Sequence, residues 1–185
     1  MFTELEKGDR RIKKAHRKAI ILVGLTRAGK STIFNWILNR PMRGKGKLVT
    51  EYINVVLADD SSAKIMSSFA SETLAPNIYY DYEPDVSLID MAGYEDTRDF
   101  IGVIGVSYFL KALFEQVREV KFIIAFDEHK FTEDTGAGII KTFNGFINMF
   151  HLDKMPLDIK EKLKQSISVV ITRSNRSQDH YDFLN

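Results

Sequence analysis

The sequence contains no cysteine, which excludes disulfide bonds and thiolate metal sites. That composition fits a reducing compartment, and the expected location is cytoplasmic. An excess of one charge is also missing. Against 26 Lys and Arg stand 25 Asp and Glu, for a formal net charge of +1. No overall field therefore argues for nucleic acid or for a membrane surface as partner. No apolar run approaches the roughly 20 residues needed to span a bilayer. The longest, Phe100 to Leu110, is broken by Gly102, Gly105 and Ser107 and reads as a buried helix. Membrane association would have to come from regions outside this chain. The N-terminus, Met1-Phe-Thr-Glu-Leu-Glu6, is acidic before it turns basic, so it is not a secretory signal. Internal repeats and low-complexity tracts are lacking too. What is present, 185 residues with 44% hydrophobic content, suits one ordinary globular domain.

The most informative stretch runs from Lys18 to Ile33. Ala19 to Val23 are apolar and mostly branched, as a strand covered on both faces requires. Gly24-x-x-x-x-Gly29-Lys30-Ser31 follows at once and fits a phosphate-binding loop. The glycines let the backbone curl so that several N–H groups point inward, and the next helix adds its positive end. Lys30 is placed to neutralise β- and γ-phosphate oxygens, and the Ser31 hydroxyl can ligate Mg²⁺. The expected cradle comprises Gly24, Thr26, Arg27, Ala28, Gly29, Lys30, Ser31 and Thr32.

Lys7 to Lys18 is dense in Lys and Arg. It reads either as a basic N-terminal arm (residues 1–18) for an acidic or lipid partner, or as a solvated linker or short helix. The second is favoured, because no apolar face is evident to anchor it. After the loop, Ile33, Phe34, Ile37 and Leu38 are at helical spacing up to Pro41. Arg43 to Lys47 reads as a basic loop. Val49–Ala58 and Ala63–Phe69 suggest a hairpin. Asn77–Tyr82 reads as an edge strand stopped by Pro84. Helices are expected over Phe100–Val117, Thr135–Phe150 and Leu157–Lys164, and strands over Lys121–Phe126 and Ser166–Ile171. This alternation predicts an α/β sandwich over residues 19–185 with a mainly parallel sheet.

Val86-Ser-Leu-Ile-Asp90-Met-Ala-Gly93 is the second informative stretch. A buried strand ends in an acidic residue, and glycine follows three positions later. In a phosphate-loop protein, the strand beside the first carries an Asp that holds the Mg²⁺ shell. Asp90 takes that place, with Ser31. The Gly93 N–H can then sense a γ-phosphate, since glycine permits close backbone approach.

In chain order these pieces resemble the G domain of GTPases, a three-layer P-loop NTPase fold. The resemblance implies that Thr73 is the switch threonine that ligates Mg²⁺ when a γ-phosphate is present, and that Thr172 to Asn175 lie at the base. Lys130-Phe-Thr-Glu-Asp134 is similar to the Arg-Phe/Tyr-Thr-Glu-Glu segment of AIG1/GIMAP GTPases, and Val170-Ile-Thr-Arg173 to their Thr-Arg-x-Asp motif. The chain thus resembles the septin-like group, over about Ala19 to Asn175. The implied function is a switch that binds GTP or GDP with Mg²⁺, hydrolyses GTP slowly and forms a homodimer across the nucleotide face. The implied base contacts are Thr172, Arg173 and Asn175.

Three features depart from that pattern. Asn175 stands where an Asp would accept two hydrogen bonds from guanine; its NH₂ would face a donor, a mismatch of roughly 1–3 kcal/mol. Asp179 could substitute. Tyr94 stands where a water-orienting Gln is found in Ras-type enzymes, so hydrolysis would be slow alone or would depend on a group from a partner. Arg27 is the first candidate, set against its reading as a solvated loop arginine; His129 and Arg173 are others. Lys30, Thr73, Gly93 and Arg27 are the residues expected to act on the γ-phosphate. Finally, the chain ends ten residues after Asn175, so a G domain here would be C-terminally incomplete, a piece of a longer protein. Two other readings remain open: a phosphate-loop ATPase or kinase, and a nucleotide-stabilised scaffold without useful turnover.

The switch assignment generates one expectation. Thr73→Ala should weaken the Mg²⁺-dependent preference for triphosphate over diphosphate in competition binding; an unchanged preference would reassign the switch.

Overall fold

The computed structural model describes residues 2–26, 28–45, 54–57, 75–93, 100–128 and 137–172. Its centre is β1 (Lys18–Gly24), a buried strand as its unbroken apolar run requires. Four more strands join it. β4 (Asn77–Glu83), β5 (Val86–Asp90), β6 (Glu119–Asp127) and β7 (Ile167–Thr172) make a five-stranded sheet in the order β4-β5-β1-β6-β7. β5 and β6 run parallel to β1, and β7 runs parallel to β6. β4 is antiparallel to β5 and forms one edge, with a register shift between Tyr79 and Glu83. Pro84 and Asp85 make the turn between them, Asp85 taking a positive φ of 62°.

Helices cover both faces of the sheet. α2 (Lys30–Ile37) supplies Ile33 and Phe34, which pack with Leu22, Leu88 and Ala125. On the other face lie α1 (Phe2–Ile12), α3 (Phe100–Gln116) and α4 (Ala137–Met149). Their Ile12, Phe109, Leu113 and Phe146 pack with Ile21, Val23, Ile89 and Ile124. The period of two along β1 explains the split: Ile21 and Val23 face one layer, Leu22 the other. Phe122 of β6 sits among Phe114, Phe146 and Phe150, with ring centroids 5.0 to 6.5 Å away. After a 3₁₀ turn at Leu152–Lys154, α5 (Leu157–Gln165) leads into β7. β7 is the second edge, and its Val169 and Ile171 are half exposed. Gly102 and Gly105 do not interrupt α3, which runs continuously through both. No helix among the described residues is long and apolar enough to cross a membrane.

Two expectations change. Arg43 to Lys47 has the composition of a loop, but Met42–Lys45 is a strand, β2, paired antiparallel with β3 (Asn54–Leu57). Glycine and two charged residues hide the extended conformation, which comes from pairing and not from local preference. Ala63–Phe69, the expected hairpin partner of this region, lies outside the described residues.

The second change concerns the basic N-terminus, expected as a solvated linker or short helix with no apolar face to anchor it. Its first part is α1, and α1 has an apolar face. Leu5, Gly8 and Ile12 fall at helical spacing, Ile12 is buried in the layer of α3, and Ala15 just beyond the helix is buried too. Gly8 lies against the Phe109 ring so closely that an added Cβ would strike it. Tyr108 Oη donates to Asp9 Oδ2 at 2.8 Å, and the Ser87 hydroxyl accepts from the His16 N–H at 2.9 Å. The basic segment is therefore joined to the domain core. The apolar face is only one residue wide per turn, with a glycine in the middle, which is why the surrounding Lys and Arg obscure it.

The Gly8–Phe109 contact can be tested directly. Gly8→Val should destabilise the protein by about 1–3 kcal/mol through overpacking, read as a lower urea midpoint. A change within about 0.5 kcal/mol, the range of ordinary surface substitutions, would mean that α1 is not docked there.

Candidate phosphate-binding site

The carboxyl end of β1 turns sharply into α2, and this turn is the candidate site. The sequence chooses the conformation: Gly29, at the helix N-cap, has φ 78° and ψ 15°, a left-handed geometry natural to glycine. Its space is limited as well, since a Cβ there would lie 3.0 Å from Thr172 Cγ2. The Ala28 N–H donates to Leu25 O at 3.1 Å and the Ile33 N–H to Gly29 O at 2.9 Å. These bonds close the turn and start the helix. α2 thus presents its N-terminal amides and positive dipole end at the carboxyl end of the sheet, where strands β1 and β5 both finish.

Lys30 is 7% exposed. Its Nζ donates to Gly24 O at 3.2 Å and to Leu25 O at 2.9 Å. The ammonium therefore lies folded over the loop, held by two main-chain carbonyls. Ser31 Oγ donates to Asp90 Oδ2 at 2.7 Å. Parallel pairing brings this about, because Leu22 of β1 stands opposite Asp90 of β5 and α2 rises just beyond.

Asp90 is completely buried. Burial raises its pKa from the ordinary carboxylate value; the Lys30 charge and hydrogen bonds from Ser31 and Asn77 work the other way. Its Oδ1 has no partner at hydrogen-bond geometry, and neither has Thr26 Oγ1. Both are buried polar atoms next to the loop, and such atoms in native proteins call for an explanation. The donor set fits Mg²⁺. A carboxylate and a hydroxyl are hard oxygen ligands, and Mg²⁺ is usually held by one or two such groups together with phosphate and water. Among the described residues no cluster of three or more His, Cys, Asp or Glu could hold a metal by itself. A Ser–Asp pair completed by a phosphate does not need one.

Gly93 comes from the segment after β5 and lies against the loop: a Cβ there would meet Thr26 Oγ1 at 2.5 Å and Thr26 N at 2.6 Å. The two expected phosphate-sensing backbones are thus neighbours. Thr172, expected at the base, lies beneath the loop. Its Oγ1 lies 3.0 Å from Ala28 O and 2.9 Å from Phe126 O, so it fastens the underside of the loop to β6 and β7. Ala28 is buried in the α2 layer, and Thr32 is half buried in the first turn of α2. Gly24, Thr26, Ala28, Gly29, Lys30, Ser31, Thr32, Asp90, Gly93 and Thr172 are therefore gathered at one end of the sheet. Arg27, Thr73, Arg173 and Asn175 lie outside the described residues, as do Tyr94, His129 and Asp179. Sequence reasoning missed Asn77, which stands opposite Asp90 across the β4–β5 ladder. A polar residue opening an edge strand after Pro76 was its only signal.

No protein-family model matches the chain, and no curated protein matches it.

The buried carboxylate fixes a pH dependence. Because the folded-state pKa of Asp90 is raised, the native protein keeps this proton longer than the unfolded chain. Stability from this group is then full below the ordinary carboxylate value and declines as pH rises through the raised one. Urea titrations across that window should show the decline, up to ~1.4 kcal/mol per pH unit for one group. Asp90→Asn should remove it. Identical pH profiles for the two proteins would contradict the assignment.

Proposed function

We propose that this chain binds a guanine nucleoside triphosphate together with Mg²⁺ and acts as a slow GTP-hydrolysing switch. The observation that carries the reading is the group at the head of α2: a buried Lys30 over curled loop carbonyls, beside a Ser31–Asp90 pair 2.7 Å apart. A fold has little reason to bury an ammonium and a carboxylate at an open strand end unless a charged ligand is to be met there. The sheet supports the reading further. The strand bearing Asp90 lies directly beside the loop-bearing strand, as the metal-holding Asp requires. An antiparallel edge strand follows on that side.

In this reading the loop amides and the α2 N-terminus take the β-phosphate oxygens. Lys30 exchanges its two carbonyl partners for β- and γ-phosphate oxygens, gaining charge-assisted bonds. Ser31 and Asp90 would hold the cation, which would supply neutralisation of phosphate charge. The Gly93 N–H, close to Thr26 of the loop, would meet the γ-phosphate, with Thr73 as the further expected ligand. Hydrolysis transfers the γ-phosphoryl group to water and yields diphosphate and inorganic phosphate. Guanine selection is assigned to Arg173 and Asn175. A homodimer across this face would let Arg27 of one copy serve the other.

Thermal shift with GTPγS, GDP and ATPγS, each with Mg²⁺, tests the base and the loop together. At a hundredfold excess over Kd, the preferred nucleotide should stabilise by about 2.7 kcal/mol. Lys30→Ala should abolish the shift; normal triphosphate binding by that variant would defeat the phosphate-loop reading. Equal shifts with ATPγS and GTPγS would remove guanine. A specific phosphate-release rate that does not rise with protein concentration would count against the shared arginine, and no release at all would leave a nucleotide-stabilised scaffold.

A further inference from the structure

The candidate metal site is connected to the N-terminal helix by a short polar chain of contacts. Arg11, in the last turn of α1, reaches the start of β4. Its Nη1 donates to Pro76 O at 3.1 Å and to Asn77 Oδ1 at 3.5 Å. Asn77 is paired with Asp90 in the antiparallel ladder, which puts the two side chains next to each other on one face of the sheet. The two neighbours dictate how the Asn77 amide is turned. Arg11 offers only donors, and an ionised carboxylate only accepts. With Oδ1 toward Arg11, the NH₂ group remains for Asp90, and both neighbours are served by one orientation. The line Arg11–Asn77–Asp90–Ser31 thus runs from an outer helix, through an edge strand, to the head of α2.

We propose that Arg11 and Asn77 are positioning residues for the divalent cation: Arg11 fixes the Asn77 amide, Asn77 fixes the Asp90 carboxylate, and the docking of α1 thereby sets the affinity for Mg²⁺. The inference rests on the nucleotide reading above and deepens it. Three observations favour a role beyond packing. Asp90 Oδ1 has no hydrogen-bond partner, so the carboxylate is oriented without being saturated, as a ligand oxygen must be. Asp90 is fully buried, so its direction depends on the few groups that touch it. And α1 is already held by Gly8 against Phe109, by Ile12 in the core and by the Tyr108–Asp9 bond, so Arg11 is not needed to attach the helix. Groups that orient a metal ligand from behind typically cost 10- to 100-fold in metal affinity when removed.

The test measures binding of a fluorescent GDP analogue to the full chain, with EDTA and across a Mg²⁺ titration. Arg11→Ala and Asn77→Ala should each raise the Mg²⁺ concentration for half-maximal effect by roughly tenfold or more. Their losses should be confined to the Mg²⁺ condition, and the double variant should be no worse than Asn77→Ala alone, because one residue acts through the other. Arg11→Lys keeps the cation and the bond to Pro76 O, guards against misfolding, and should recover part of the loss. An unchanged Mg²⁺ midpoint, equal losses with and without Mg²⁺, or additive losses in the double variant would each overturn the proposal. Lys30→Ala separates the two claims. If it abolishes nucleotide binding while Arg11→Ala keeps the parental Mg²⁺ midpoint, the coupling fails and the nucleotide reading survives. If the parent protein binds no nucleotide, the reading itself falls and the coupling with it.

Discussion

A buried carboxylate at a strand end is the constraint around which this domain is arranged. Asp90 has no water to solvate it, so its surroundings must do so. The Lys30 ammonium, the Ser31 hydroxyl and the Asn77 amide all converge on it, from the loop, from α2 and from β4. Each of those elements is fixed in turn by pairing or packing with β1. The order β4-β5-β1 is therefore more than a topology. It brings an amide from one side and an ammonium and a hydroxyl from the other into the surroundings of one carboxylate. Such an arrangement costs stability without a ligand and gains interaction energy when one arrives, which is the usual trade at a functional site.

Much of this was readable from local patterns. β1 and β5 announce themselves because they are covered on both faces and so need continuous apolar runs. The loop is readable because glycine, lysine and serine at fixed offsets have few other uses. α3, α4 and α5 came within two residues of expectation at each end. Features that depend on residues far apart in sequence were not readable. Arg11 and Asn77 are separated by 66 positions, and nothing local to either indicates the other. α1 was obscured for a related reason: its anchor is the absence of a side chain at Gly8, which acquires meaning only beside Phe109. β2 is extended because β3 lies next to it, against the preference of its own glycine and charged residues. Thr172 could be placed at the strand end from sequence, but not the direction its hydroxyl takes.

The basic N-terminal segment takes on a different meaning once it is folded against α3. Most of its Lys and Arg side chains remain exposed, as solvated charge normally is. Arg11 is the exception, half buried and turned toward backbone carbonyl and amide oxygens at the entrance to β4. One residue of a charge-dense stretch is thus built into the domain, while its neighbours keep the surface hydrated.

The clamp that Thr172 forms beneath the loop bears on how fast a ligand could be captured. A hydroxyl shared between the carbonyls of Ala28 and Phe126 ties the turn to two strands of the central sheet. A turn tethered in this way has already surrendered its freedom during folding, so little entropy is left to lose on encounter. Capture at such a surface is governed by diffusion and charge rather than by a slow rearrangement of the receptor, and the lifetime of the complex then falls to the contacts made afterwards.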